Sequence, residues 1–281
     1  MPSIYDITQY TKNPIKLLTL SLLLAFTYGC STPSIKFHNK ASEQHFSAER
    51  ISTPLFEHII YTNQATQTNT QHSLHVYLDG DGSPWLSNHW IAKDPTSRNP
   101  MILELMAMDS NASILLGRPC YHGLANTKKC HPQYWTSHRY SYEVVQSMRI
   151  ALKKWLIAHP HIQKINFIGF SGGGGLAALL TPYFPQTTQL ITLAANLSID
   201  AWTTQHNYTP LIGSLNPIEQ KQLNSQIQQT HIVGAQDKNI PISLVNSYVK
   251  KQESAKLLII ESQAHCCWNN HWQSILNNLV K

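Results

Sequence analysis

Charge is what this sequence has least of. Asp, Glu, Lys and Arg make up 13% of its 281 residues, about half the ~25% of an ordinary globular chain. Acids are the scarcest: 15 Asp and Glu stand against 21 Lys and Arg, so the net charge of +6 comes from missing carboxylates. Basic clusters are also lacking, since the pairs Lys128-Lys129, Lys153-Lys154 and Lys250-Lys251 lie far apart. A nucleic-acid footprint needs a basic stripe, and none is present. Glycine and proline, 12 and 15 residues, are too few for a collagen-like or low-complexity chain. No HExxH run occurs and no internal repeat is visible. What remains is polar but weakly charged, rich in Ser, Thr, Asn, Gln and 15 His, with 42% hydrophobic residues. That is enough to build a sizeable core in a chain of this length.

The apolar run from Leu17 to Thr27 follows Lys12 and Lys16 and has signal-peptide length, too short to span a bilayer comfortably. It ends Thr27-Tyr28-Gly29-Cys30-Ser31, which resembles a bacterial lipobox. The resemblance implies a leader over 1–29 and lipidation at Cys30. An ordinary cleaved signal or an uncleaved anchor are the other readings. Ser31 after the cysteine goes, in such lipoproteins, with sorting to the outer membrane of the cell envelope. Residues 30–53 are polar and read as a tether, leaving 54–281 as the folded domain.

Export makes Cys120, Cys130, Cys266 and Cys267 disulfide-permissive, and four cysteines allow three pairings. Cys120 and Cys130 bracket a short polar loop and are the natural local pair. A metal site using the adjoining His122 and His131 is the rival, disfavoured in an oxidising compartment. For Cys266-Cys267, two free thiols, a vicinal bridge and a long-range bond all stay open.

Along the rest of the chain, strand-like runs alternate with helical ones. Strands are expected at Phe56–Tyr61, Leu74–Leu78, Ser113–Leu116, Ile165–Gly169, Leu190–Leu193, His231–Val233 and Leu257–Ile260. Asn99-Pro100 reads as a helix start, Asn as N-cap and Pro at the first helical position. Ser141 caps a longer helix whose apolar residues Val144, Val145, Met148, Leu152, Trp155 and Leu156 fall at helical spacing. Alternation of this kind predicts one α/β domain with a mainly parallel sheet covered on both faces.

Chemistry concentrates at Gly169-Phe170-Ser171-Gly172-Gly173, a G-x-S-x-G between a hydrophobic strand and a small-residue helix. Such a turn holds the serine in a strained conformation at the sheet edge, and glycines are needed where side chains would collide. A serine hydroxyl needs a base and a group to orient it. Asp237 and His265 follow the next-to-last and last strands, in the acid-then-histidine order of this arrangement. Asp200 is the rival acid; His206, His231 and His271 are the rival histidines. An oxyanion hole needs two backbone amides. Gly172, after the nucleophile, offers one, and Asp81 in the turn Asp79-Gly80-Asp81-Gly82 offers the other.

With those motifs in that order, the chain from Leu74 onward resembles the α/β-hydrolases. It is most similar to a bacterial lipoprotein branch carrying Gly-Arg-Pro-Cys (Gly117 to Cys120) and His-Cys-Cys-Trp (His265 to Trp268). The resemblance implies Ser171 as nucleophile, His265 as base and Asp237 as its orienter, with no cofactor and no metal. One departure is Asp79, where the family commonly has His. The expected activity is cleavage of small-molecule or lipid-like carboxylic esters by an acyl-enzyme route. A serine peptidase with the same triad and a binding lipoprotein with a relic site are the alternatives. Some of Trp85, Trp90, Tyr121, Trp135, Trp202 and Trp268 are candidates for an acyl pocket, and Asn196–Gln228 for a partial lid.

Overall fold

In a sheet covered on both faces every strand residue is buried, so its strands read as unbroken apolar runs. Ser113–Leu116 is buried at all four positions, and Lys164–Phe170 at every position between its ends. The computed structural model describes residues 31–68, 71–87 and 89–279; the expected leader and Cys30 lie outside them. In chain order the elements are α1 (Pro33–Glu43), β1 (Ser47–Ser52), β2 (Glu57–Thr62), α2 (Gln64–Gln67), β3 (Ser73–Leu78), β4 (Trp85–Leu86), β5 (Trp90–Ile91), α3 (Met101–Ala107) and β6 (Ser113–Leu116). Then come α4 (Tyr142–Ala158), β7 (Lys164–Phe170), α5 (Gly172–Leu180), β8 (Thr187–Leu193), α6 (Ile199–Gln205), β9 (Gln228–Gly234), α7 (Ile242–Val249), β10 (Ala255–Ile260) and α8 (Asn269–Leu279).

Eight strands form one sheet in the order β1-β2-β6-β3-β7-β8-β9-β10, while β4 and β5 make a separate hairpin. From β6 to β10 all neighbours pair in parallel; β2 is antiparallel to both β1 and β6. Alternate side chains of each strand enter opposite cores, as the two-residue period requires. Leu74, Val76, Leu78 and Phe167 pack with Val145 and Met148 of α4, Leu176 of α5 and Val245 of α7. Tyr77, Leu115 and Ile168 pack on the other face with Phe37 of α1, Leu103 of α3 and Trp272 of α8. Pro33 onward forms one compact unit. Among the described residues no helix is long and apolar enough to cross a membrane.

Two sequence expectations need correction here. The polar tether expected over 30–53 is largely structured: α1 buries Phe37 and Ala41, and β1 pairs with β2 from Ser47↔Thr62 to Ser52↔Glu57. An edge strand needs only one neighbour and few apolar residues, so its polarity hid it. The helix expected to start at Asn99-Pro100 begins at Met101, with Pro100 in the capping position and no side-chain cap bond. Ser141 does cap α4, accepting from the Val144 amide.

Candidate active site

Parallel strands bring their carboxyl ends to one edge, and open α/β sheets keep their sites there. At the end of β7 the chain turns into α5 through Ser171, at φ 51° and ψ −122°. A non-glycine residue at positive φ is strained and persists only where its surroundings over-determine it. Here the Ser171 amide donates to the Leu193 carbonyl (2.9 Å), and its carbonyl accepts from the Gly174 (3.0 Å) and Asn196 (3.1 Å) amides. The flanking glycines are required by backbone contact: a Cβ at Gly169 would lie 2.5 Å from the Gly173 carbonyl oxygen, and one at Gly173 2.3 Å from that of Leu78.

Asp237 follows β9, and its carboxylate is fully buried. One oxygen accepts from the Asn239 and Ile240 amides, each at 2.8 Å, and the other faces His265 Nδ1 at 2.8 Å. His265 follows β10 and presents Nε2 to Ser171 Oγ at 3.2 Å. With Nδ1 toward a carboxylate, that nitrogen carries the proton and the Nε2 lone pair faces the serine. The structure thus brings Ser171, His265 and Asp237 into one continuous chain of contacts. Asp200 is exposed and bonds Asn216, and His206 donates to the Asn239 carbonyl (2.8 Å). His231 lies within β9 against Thr192, and His271 lies in α8. None of these four is hydrogen-bonded to Ser171 or His265.

The turn after β3 lies beside the serine: a Cβ at Gly80 would sit 3.5 Å from Ser171 Cβ. The Asp81 carboxylate lies against Gly172, the residue of the other expected amide: a Cβ there would meet Asp81 Oδ1 at 2.0 Å. The Asp81 carboxylate is clamped by Arg118 Nη2 (2.9 Å), Arg139 Nη1 (2.8 Å) and the Tyr140 hydroxyl (2.6 Å). Burial alone would raise this carboxyl; the Arg139 and Arg118 charges and the Tyr140 bond outweigh it and hold it below the usual range. Tyr121 donates to the Asp81 carbonyl at 2.9 Å, fixing the peptide as well. Neighbouring Asp79 lacks such a clamp, and burial raises it to about 6, against the pull of the Gly80 amide and Arg118.

Sequence reasoning missed Arg118, Arg139, Tyr140 and Asn239. Arg118 carried a signal, standing in the Gly-Arg-Pro-Cys segment directly after β6 at the functional edge. Asn239 carried none, yet its Nδ2 lies 3.1 Å from His265 Nε2.

A cavity of about 830 Å³ opens over Ser171 and His265, with Trp85, Trp202, Tyr208 and Leu211 on its apolar walls. Of the aromatic candidates, Trp85 and Trp202 line it. Tyr121, Trp135 and Trp268 are buried supports, Trp135 bonding the Ala92 carbonyl and Trp268 that of His265. Trp90 stands out on the hairpin, 73% exposed. The lid segment contributes α6 and the irregular stretch through Leu211.

A second Ser–His contact, His58 Nε2 to Ser147 Oγ at 2.6 Å, is structural. Its other nitrogen meets the Gly117 carbonyl (2.9 Å) instead of a carboxylate, His58 is fully buried, and burial lowers its pKa to about 4. Cys120 and Cys130 are joined, Cys266 and Cys267 are free thiols, and no group of three or more ligating side chains suits a metal among the described residues. His122 is buried against Phe37 and Tyr61 instead.

No protein-family model and no curated sequence matches the chain. Solved structures do. A bacterial membrane phospholipase A, described as a virulence factor, aligns at TM-score 0.56 and 11% identity over 94% of this chain and 96% of its own. An esterase of Pyrococcus furiosus aligns at 0.58 and 12%, over 90% and 96%. A serine hydrolase homologue from Coxiella burnetii aligns at 0.52 and 12%, over 83% and 95%. Identities this low speak to architecture alone, and that architecture is shared: the chain has the α/β-hydrolase fold.

Proposed function

We propose that the protein is a serine hydrolase that cleaves carboxylic esters through an acyl-enzyme. The observation carrying this reading is the unbroken run Asp237–His265–Ser171, opening on a cavity with the serine at positive φ. His265 Nε2 takes the Ser171 proton as Oγ attacks the ester carbonyl. The resulting imidazolium is stabilised by Asp237, then returns the proton to the departing alcohol. The Gly172 and Asp81 amides receive the oxyanion. The Gly172 amide belongs to the first turn of α5, where backbone N–H groups have no intrahelical partner. Water then enters by the same base and releases the acid.

The apolar walls favour an acyl group of hydrocarbon character over a charged one, and lipid-like esters fit the likeness to a phospholipase. An intact triad is the feature a relic binding protein would be free to lose. A fluorophosphonate probe should label the wild type and not Ser171→Ala; an unlabelled wild type overturns the hydrolase reading. Competition of that labelling by esters, and not by peptide amides, supports the ester class. Attachment of the enzyme to the bacterial envelope through lipidated Cys30 is part of the same proposal, supported by the Leu22–Phe26 run and Gly29-Cys30-Ser31. A palmitate analogue should mark the wild type and not Cys30→Ser.

A further inference from the structure

Two thiols follow the proposed catalytic base directly. Cys266 and Cys267 are both exposed and unbridged, with their sulfurs 3.0 Å apart. The loop that carries them is held on both sides of His265. Gln263 Nε2 donates to the Ala264 carbonyl (3.0 Å) and the Cys266 carbonyl, and Trp268 Nε1 to the His265 carbonyl (2.9 Å). Cys267 sits at φ 71°, left-handed backbone that L residues adopt at a cost. Cys266 borders the cavity over Ser171, and both thiols border a second open cavity of about 810 Å³ shared with Lys36 and Met101. Solvent-borne reagents therefore reach them without entering the substrate site.

We propose that Cys266 and Cys267 form a thiol–disulfide modification site. A small disulfide oxidant closes them into a vicinal bond, which displaces His265 and switches hydrolysis off. The inference rests on the hydrolase reading for its effect on rate, but not for the bond itself. The hydrogen bond to Cys267, followed by burial, pushes the Cys266 thiol up; Cys267, which lines the second cavity and not the one over Ser171, attacks first. Its thiolate breaks the oxidant's S–S bond, forming a mixed disulfide and releasing one thiol. Cys266 then loses its proton and attacks the Cys267 sulfur, releasing the second thiol. Two protons and two electrons leave the protein, and the oxidant departs as two thiols.

Geometry makes this bond consequential. Adjacent Cα atoms stand ~3.8 Å apart across a trans peptide, shorter than the ~4.4–6.8 Å that disulfides usually span. Closing the ring must therefore rotate the 266–267 peptide. The Gln263 and Trp268 bonds flank that peptide, so the change is passed to the backbone of His265. A displacement of about 1 Å in a reacting group costs on the order of 100-fold in rate.

The test treats the folded protein with oxidised glutathione. Mass mapping of the 265–268 segment, His265 ring resonances and hydrolysis of a nitrophenyl ester are then followed. The expected result is loss of two hydrogen masses, a change in the ring signals and a fall in rate of about 100-fold. All three should reverse with dithiothreitol and be absent in Cys267→Ser, whose rate matches the reduced wild type. Thiols still free in excess oxidant, a mixed disulfide as end product, or a closed bond with unchanged ring signals overturns the proposal, as does a closed bond with an unchanged rate in active enzyme. Protein inactive in both states sinks the hydrolase reading, and the mass and ring signals still decide the dithiol site.

Discussion

Three side chains of the proposed triad differ in what their loss removes. Ser171 and His265 take part in bond making and proton transfer, whereas Asp237 orients and stabilises the ring. Ser171→Ala and His265→Ala should each lower kcat by about 10⁶, and Asp237→Asn by about 10⁴, the losses seen where such a triad acts as a unit. Steady-state kinetics with folding checked by circular dichroism measures this; an equal loss in Asp200→Asn would move the acid role elsewhere. Asn239 makes a subtler expectation. Its amide donates toward the same Nε2 lone pair that must accept the serine proton, 3.1 Å against 3.2 Å for Ser171 Oγ. A donor there competes with the serine hydroxyl for the lone pair. Asn239→Ala, which keeps the backbone N–H to Asp237, should therefore leave that lone pair to Ser171 alone and raise kcat, read by steady-state kinetics. An unchanged kcat would show that this amide does not bear on the base. Residues of this kind are invisible in sequence, because Asn239 belongs to no motif and acts only through where the loop after β9 places it.

Elements were legible to the degree that burial dictates composition. β3, β6, β7 and β8 are buried along most of their length and stood out as apolar runs between turn residues. β1, Ser-Ala-Glu-Arg-Ile-Ser, is an edge strand exposed at five of its six positions, and α1 buries only Ser34, Phe37 and Ala41; neither has the apolar periodicity that marks an element. The serine turn was the most legible element, since its glycines answer to steric demand. Gly173→Ala tests that demand. Its Cβ would meet the Leu78 and Asp79 carbonyl oxygens at 2.3 and 2.4 Å, and neither β3 nor α5 can yield without losing sheet contacts. A loss of about 3 kcal/mol or more is expected. Gly123→Ala is the contrast: φ is 86° but the nearest atom lies 3.9 Å away, so only the ~1–2 kcal/mol of left-handed strain applies. Urea melts of the pair, with equal losses, would refute the steric account.

At the scale of the whole molecule, four histidines are sealed in the fold among the described residues: His75, paired with Asp109, and three with no carboxylate bonded to them. Burial lowers His58 to about 4, His122 to about 3 and His231 to about 3, from an ordinary value of 6.5. His231 stands apart against Thr192 and Tyr248, whereas His58, against Ser147, and His122, against Phe37 and Tyr61, both abut Gly117 and the charge of His58 also lowers His122. The penalty at His231 is therefore independent of the other two, while those at His58 and His122 reinforce each other. Because each folded value is below the unfolded one, the unfolded chain binds protons more readily. Stability is then complete above about pH 6.5 and falls as pH drops toward 4 and 3. A tenfold difference in proton affinity between the folded and unfolded chain is worth ~1.4 kcal/mol. Each histidine thus withholds on the order of 3 kcal/mol when acidified, against a total stability of about 5–15 kcal/mol for a typical domain. Three such penalties, about 9 kcal/mol together, are comparable with that total, and cooperative acid unfolding is expected between about pH 6 and 4. Tryptophan fluorescence and far-ultraviolet circular dichroism should report one coincident transition. His231→Gln keeps a polar partner for Thr192 and removes one of the three titrations, so its acid midpoint should fall to lower pH. A protein still folded near pH 3, or a midpoint unmoved by this substitution, would place the acid sensitivity elsewhere than in the buried histidines.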